Sequence, residues 1–205
     1  MQKPGSWNEE LVHVISHLIF DGSIEKCGCV YYNSSETNAA HMSGLLKRVF
    51  GVEPKIKTRD NGIYAVSAYY VELADYARGK EKELLEYIRI APKNEKIVFL
   101  RTFFDDEGSV YYKGGKRRIR GSQDSIQILG LVKALLTDLG ISSRIDVTAK
   151  AVEISGRKEL AHFKDLIGFS EGIFVNPERK NSIWKQKLEK RDILNRALDS
   201  YICST

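Results

Sequence analysis

The feature that most constrains the fold is an internal repeat, because two copies of one pattern must build two copies of one structural unit. The stretches "LIFDGSI" (18–24) and "FFDDEGSV" (103–110) align acid-glycine on acid-glycine at an offset of 86 residues. A second pair, "VELADY" (71–76) and "KELAHF" (158–163), follows in the same order at an offset of 87. Matches in one order at nearly one offset predict a tandem duplication.

Both copies show the same order of predicted elements. An amphipathic helix opens the first copy, with apolar residues recurring at the spacing of one helix face. These residues are Leu11, Val14, Ile15, Leu18 and Ile19. In each copy two strands, a helix ended by glycine, a second hairpin and a third helix follow. The prediction is an α+β fold of two αββαββα repeats, each with one antiparallel sheet.

The predicted organisation has four parts. The first repeat covers 1–78, a charged helical linker covers 79–96, and the second repeat covers 97–168. A C-terminal helical extension follows at 169–205. Within it, an amphipathic basic pattern over 176–200 predicts one long helix, whose start is signalled by asparagine followed by proline.

Composition sets the class of protein. The 205 residues carry 42% hydrophobic and 29% charged side chains, which is typical of a soluble globular protein. Three cysteines without disulfide-like spacing argue against a secreted scaffold. The first residues lack a signal-peptide core, and no apolar stretch reaches the roughly 18 residues of a membrane span. We therefore expect a cytoplasmic protein with no membrane partner, whose net charge of +5 permits nucleic-acid binding.

The stretch "LRTFFDDEGSV" (100–110) raises a physical question. Its apolar residues predict a helix, yet that helix ends in Asp105, Asp106 and Glu107. Negative charge at a helix C-terminus opposes the helix dipole. Three acids in succession at such a place indicate a function.

The two acid-glycine helix ends resemble the motif of the LAGLIDADG homing endonucleases in their single-chain, two-repeat form. The nine-residue motifs are "VISHLIFDG" (14–22) and "LRTFFDDEG" (100–108). The resemblance implies a pseudo-twofold protein whose two sheets form a saddle for double-stranded DNA. It further implies a monomeric, site-specific nuclease associated with an intron or an intein.

The resemblance also implies an active site at the two motif helices. Asp21 and Glu107 would be catalytic and would ligate Mg²⁺ or Mn²⁺, because adjacent carboxylates repel unless a cation lies between them. Ser16 and Thr102 occupy the helix-contact slot in which the family prefers glycine.

Other polar residues near these motifs are expected to have structural roles. We expect Asp105 and Asp106 to cap the helix or to face solvent. His17 is expected to be a packed residue rather than a ligand, because the second copy has no matching histidine.

Basic residues on the predicted hairpins suit contacts to phosphates and base edges. Exposed basic hairpins also protect sheet edges, so this pattern alone leaves both roles open. The residues predicted to bind DNA are Lys26, Lys55, Lys57, Arg59, Lys113, Lys116, Arg117, Arg118, Arg120 and Gln123.

One departure from the family pattern leaves the function open. The family places a basic residue or a glutamine at the end of the second strand, whereas this chain has Asn33-Ser34 and Gly121-Ser122 there, with Gln123 next. Either a neighbouring cation (Lys26, Lys113 or Arg120) substitutes, or cleavage is weak or lost. The alternative is therefore a non-cleaving binding protein, such as an RNA-splicing maturase with a structured RNA partner or a DNA-binding regulator.

Overall fold

A computed structural model of the chain describes residues 1–60, 62–178 and 182–201. The chain divides into two compact units, and the division falls after Thr102. Among the described residues, no helix combines the length and the apolar character that crossing a membrane requires.

The first repeat contains three helices and four strands. They are α1 (Glu9–Phe20), β1 (Gly22–Glu25), β2 (Gly28–Asn33), α2 (Glu36–Phe50), β3 (Lys55–Thr58), β4 (Tyr64–Ala68) and α3 (Val71–Ile90). The second repeat also contains three helices and four strands. Its elements are α4 (Lys93–Glu107), β5 (Gly108–Lys113), β6 (Lys116–Ser122), α5 (Ile126–Asp138), β7 (Arg144–Asp146), β8 (Ala151–Ser155) and α6 (Arg157–Leu166). A last helix, α7 (Lys190–Asp199), follows. The predicted order αββαββα is confirmed in both copies.

Each repeat folds its four strands into one antiparallel sheet, and the two sheets share a topology. The strand orders are β1-β2-β4-β3 and β5-β6-β8-β7. The first hairpin pairs Gly22 with Tyr31, and its counterpart pairs Gly108 with Gly121. These pairs are 9 and 13 residues apart, so the second hairpin is four residues longer. The extra length carries part of the predicted basic cluster.

Local signals account for the helix bounds. The side chain of Asn8 accepts a hydrogen bond from the backbone N–H of Leu11 at 2.9 Å, which satisfies a donor at the start of α1. Gly51 ends α2 in the left-handed region, with φ of 63°. Gly121 is required for a different reason, because a Cβ there would lie 2.3 Å from the ring of Phe103. The sheet therefore packs closely on α4.

The C-terminal helix is shorter than the sequence pattern predicts. A helix over 176–200 is wrong, because α7 begins only at Lys190. The preceding segment makes sheet-like hydrogen bonds instead: Val175 N–H donates to Leu188 O at 2.9 Å, and Lys190 N–H donates to Ile173 O at 2.8 Å. These pairings override the local helical pattern.

The region expected to link the repeats is largely helical. Helix α3 continues to Ile90 and α4 begins at Lys93, which leaves only a short break around Pro92. The domain bounds expected at 78, 96 and 168 stay predictions.

Candidate functional site

The acidic end of α4 is stabilised by a lysine from a distant part of the chain. The Nζ atom of Lys190 donates to the backbone oxygens of Phe104 and Asp105, at 3.2 and 2.7 Å. Lys190 is itself only 6% exposed. A cation that binds the last carbonyls of a helix compensates both the unpaired acceptors and the dipole. The helix end therefore tolerates its acids because Lys190 lies against it.

Asp105 has a structural place, and the expectation that it faces solvent or caps its own helix is wrong. Its side chain is buried, and Oδ1 accepts a hydrogen bond from the backbone N–H of Ser170 at 3.0 Å. Burial raises its pKa to about 6, against the opposing effects of the Ser170 hydrogen bonds and the Lys190 charge. Asp105 thus connects the end of α4 to the segment that follows α6.

Glu107 and Gln123, both singled out from the sequence, lie together in the second repeat. The Nε2 atom of Gln123 donates to Oε1 of Glu107 at 3.3 Å. Gln123 follows the end of β6, where its backbone N–H donates to Lys150 O at 2.9 Å. Gly108 permits the chain to pass directly from α4 into β5, because a Cβ there would lie 2.1 Å from Phe104 O. The sheet thus presents an amide to a helix-terminal acid.

The first repeat places Asp21 at the matching helix end. Asp21 is the half-buried C-cap of α1, and its N–H donates to His17 O at 3.1 Å. Strand register makes Asn33 the counterpart of Gln123. The Nδ2 atom of Asn33 donates to the hydroxyl of Tyr31 at 2.8 Å. A metal site formed jointly by Asp21 and Glu107 stays a prediction.

The small residues of the two motif helices are fully buried. Ser16 and Thr102 each have 0% exposure. Within the first unit, α1 also contacts the early part of α4, where the rings of Phe20 and Phe99 meet edge to face at 5.5 Å. Burial of two small polar residues suits close packing, whereas their role at a helix interface stays a prediction.

The first outer face is the surface of the β1–β4 sheet that carries Tyr32, Lys55 and Lys57. It forms a shallow depression of about 370 Å³, which Arg59 also lines. The Arg59 guanidinium lies 4.3 Å from the centre of the Tyr32 ring and donates to its hydroxyl at 3.0 Å. Lys26 is exposed in the turn between β1 and β2. All four predicted cations of the first repeat are thus exposed.

The second outer face is the corresponding surface of the β5–β8 sheet, and it is organised around one carboxylate. Glu153 is only 2% exposed, although it lies on the same face as Arg118 and Arg120. Its side chain binds Arg118 at 3.1 Å, Arg120 at 2.9 Å and Arg144 at 2.6 Å. Arg120 also binds Asp146 at 3.0 Å. The predicted cations here are fixed by carboxylates.

The basic cluster predicted on the β5–β6 hairpin is divided between two faces. Side chains alternate along a strand, so Arg117 points to the side opposite Arg118. Its Nε atom donates to Oγ of Ser200 at 2.6 Å, and its guanidinium lies 4.2 Å from the centre of the Tyr201 ring. Lys113 and Lys116 pair across the hairpin end and are exposed. Arg117 therefore holds the C-terminal segment against the sheet.

Sequence reasoning missed three residues of these sites. Glu153 lies in the apolar strand "AVEIS". A single acid among apolar residues indicates a buried carboxylate, and such a carboxylate needs cationic partners. Arg144 gave no signal beyond its charge. Lys190 lies in a charge-rich stretch and is indistinguishable there from solvated lysines.

Comparisons with known proteins agree with this architecture. Residues 94–168 match the family model of the LAGLIDADG-like domain. The fold is similar to the homing endonuclease I-DmoI, with a TM-score of 0.62 and 18% identity over 78% of this chain and 90% of that one. A structure of I-DmoI with DNA and Mn gives 0.59 and 20%, over 80% and 98%. The N-terminal LAGLIDADG domain of DUF199/WhiA gives 0.58 and 17%, over 82% and 87%.

A sequence relative is a probable translation initiation factor IF-2 of Pyrococcus horikoshii. It is 33% identical over 125 residues, which is 60% of this chain but only 11% of that protein. The family resemblance and the fold class expected from the sequence are confirmed by the family match and the structural similarity.

Proposed function

We propose that this chain, a protein with the two-repeat LAGLIDADG fold, is a divalent-metal-dependent endonuclease that cuts both strands of a specific duplex DNA site. The observation that carries the proposal is the hydrogen bond of 3.3 Å between Gln123 and Glu107. A hydrolytic site needs an acid held in one orientation and polar groups that position water nearby. Glu107, at the end of α4, and Gln123, directly after β6, supply these groups.

The residues fit a hard divalent cation. Asp21 and Glu107 are partly exposed carboxylates at helix ends, so the donors are oxygens, as Mg²⁺ and Mn²⁺ prefer. We expect Asp21 and Glu107 to hold the metal. When bound, such a metal supplies Lewis-acid activation of the phosphate and of a water. Related structures of I-DmoI contain DNA with Mn, Mg or Ca, which supports this class of cofactor.

The chain's own groups would bind and position the substrate. Exposed cations on the first outer face neutralise phosphates, and the arginines held by Glu153 present guanidinium groups in defined orientations. Lys26, Lys113 and Lys116 on the hairpin ends extend this surface. We leave Arg117 out of the proposed interface because the C-terminal segment holds it. Both motifs lie in one chain, so we expect a monomer.

The context of the gene is also proposed. The similarity to the initiation factor covers only 11% of that protein, as expected for a nuclease unit inserted in a host protein. We therefore propose an intron- or intein-associated origin. Sequencing the DNA on both sides of this gene tests it, and uninterrupted independent genes on both sides would contradict it.

The activity is tested with three variants of matched size. A duplex that the wild type binds, selected from a randomised library, serves as the probe for cleavage and for gel shift. Asp21→Asn and Glu107→Gln should lower cleavage in Mg²⁺ by at least about a thousandfold, because losing a main catalytic residue costs about 10⁴-fold or more in well-studied hydrolases. DNA binding should persist or tighten, because removing negative charge near phosphates relieves repulsion. Asp106→Asn is the control and should retain cleavage.

The same experiment decides the second candidate function. Asn33 stands where the family places a basic residue or a glutamine, and this departure favours a protein that binds nucleic acid without cutting it. Tight binding to the selected duplex without cleavage in Mg²⁺ or Mn²⁺ would support that candidate, and a structured RNA is then the next probe. Cleavage that survives the loss of both Asp21 and Glu107 would exclude the proposed active site.

A further inference from the structure

Three of the four histidines in the sequence gather at one place in the first repeat. His13 and His17 are four residues apart on α1, so they lie on the same face of the helix. His41 approaches them from α2. One imidazole nitrogen of each residue lies within 4.8 Å of the others. Neither the nuclease site nor either outer face uses these side chains.

The ring of His13 lies against the rings of both other histidines. The rings of His13 and His17 stack at 4.7 Å, and those of His13 and His41 meet at 5.0 Å. Nitrogen ligands about 2.0–2.1 Å from a tetrahedral zinc ion lie roughly 3.3–3.4 Å apart. Ring rotations that move each imidazole nitrogen by roughly an ångström or more would therefore bring the three nitrogens to the separations of zinc ligands. The three side chains already meet between α1 and α2, so metal binding requires no change in backbone topology.

The environment keeps the imidazoles of His13 and His41 neutral, the form that binds metals. Burial, together with the charges of His17, His41, Arg101 and Arg48, lowers the pKa of His13 to about 2. Burial and the charges of His17 and Arg48 also lower the pKa of His41. The two arginines oppose a bound cation, but Glu10 binds Nε of Arg48 at 2.7 Å and offsets part of its charge.

We propose that His13, His17 and His41 bind one zinc-class cation, which ties α1 to α2. Imidazole nitrogen suits Zn²⁺ and similar transition metals, whereas Mg²⁺ requires oxygen ligands. The site is therefore chemically distinct from the one proposed at Asp21 and Glu107. In such a three-histidine set, a water would complete the tetrahedron. His17 is one turn before Asp21, so the metal would fix the last turn of the helix that presents the acid.

The sequence alone favoured packing for His17, because the second copy offers no matching histidine. The partner ligand comes instead from the neighbouring helix within the first copy. His41 lies on α2, so a histidine site shared by α1 and α2 can be identified only from the packing of the two helices.

The test is metal binding by the full chain without a histidine tag, after chelator treatment and dialysis. Co²⁺ titration should produce visible d–d absorption that saturates at one equivalent and is displaced by Zn²⁺, while millimolar Mg²⁺ leaves it unchanged. Zn²⁺ should also raise the melting temperature, because ligand that binds only the folded state stabilises it.

His41→Gln tests the ligand set with little risk to folding, because His41 is exposed. Loss of groups that merely support a ligand costs about 10–100-fold in metal affinity, so loss of the ligand itself should cost at least about tenfold. His162→Gln, the remaining histidine, is the matched control and should bind like wild type. Absence of saturable binding in the wild type would overturn the proposal. Equal binding by the His41 and His162 variants would also overturn it.

Discussion

The two sheets have the same topology but opposite ways of presenting positive charge. Strand register aligns Ser67 of the first sheet with Glu153 of the second, and Lys55 with Arg144. The first outer face keeps its lysines exposed around a small hydroxyl. The second replaces that hydroxyl with a buried carboxylate that fixes three arginines. The two repeats therefore share a sheet topology, while single side chains give their outer faces different character.

This difference suits two kinds of contact with a polyanion. Exposed lysines are mobile point charges and neutralise phosphate without strict geometry. Arginines fixed by a carboxylate are preorganised, so less side-chain entropy is lost when they bind a phosphate or a base edge. We expect the lysines of the first outer face to account for most of the salt dependence of DNA binding. We expect the arginines of the second outer face to determine most of the orientation of the bound DNA.

The two motif helices show a parallel difference at their ends. Helix α4 has Asp105 where the 86-residue offset places Ile19 in α1. Asp105 and Lys190 attach the C-terminal segment to the second repeat, whereas the first repeat has an apolar residue at that point. The second repeat thus has a buried acid at a position where the first has Ile19.

The largest effect should follow Glu153→Gln. Breaking a buried ion pair costs about 3–5 kcal/mol, and we expect about 3 kcal/mol here because the arginines are partly exposed. Three guanidinium groups would then repel one another without a full counter-charge. Urea unfolding measures the free energy of unfolding. Ser67→Ala, the matched change in the first sheet, should lower it by less than about 1 kcal/mol, and equal losses would contradict the proposed asymmetry.

A somewhat smaller effect should appear in the pH dependence of stability. The folded-state pKa of Asp105, about 6, lies above its ordinary value of 3.8, so the folded protein binds this proton more tightly. Its stabilising contribution is complete below about pH 4 and is lost as the pH rises through 6. Ionisation therefore costs about 2–3 kcal/mol at pH 7, since each pKa unit is worth about 1.4 kcal/mol.

Asp105→Asn should flatten the unfolding free energy between pH 4 and pH 7, because asparagine keeps an acceptor for Ser170 but cannot ionise. Asp106→Asn is the neighbouring control and should leave the wild-type pH profile in place. A variant at Asp105 that keeps the wild-type profile would show that another group carries this pH dependence.

The smallest effect concerns DNA affinity and its salt dependence. Lys55→Ala with Lys57→Ala should weaken duplex binding by roughly tenfold and reduce the salt slope by about 2, because two phosphate contacts are lost. Fluorescence anisotropy at several salt concentrations measures both quantities. Lys82→Ala with Lys133→Ala removes the same charge from exposed helical positions and serves as the control.

Arg118→Ala with Arg120→Ala completes the comparison. We expect a smaller change in salt slope than for the lysine pair, because carboxylates already neutralise part of the arginine charge. Discrimination between the selected duplex and a random duplex should fall more. If the two pairs change slope and discrimination equally, the two faces are equivalent.

The sequence by itself determined the repeat, the order of elements and the acids that end the motif helices. These are local properties: helical and strand periodicities, glycine turns and caps act over a few residues. The basic residues were also identifiable by type. The helix expected over 176–200 failed because its local pattern competed with hydrogen bonds to a segment more than ten residues away.

Tertiary structure alone decided which partners the charged side chains acquire. Lys190 donates to carbonyls about 85 residues earlier in the chain, and Glu153 forms ion pairs with arginines of two other strands. Strand pairing set Arg117 against the C-terminal segment and Arg118 on the opposite face. Helix packing brought His41 to His13 and His17. Such partnerships depend on which faces meet after the chain folds, and local periodicity carries no information about distant partners.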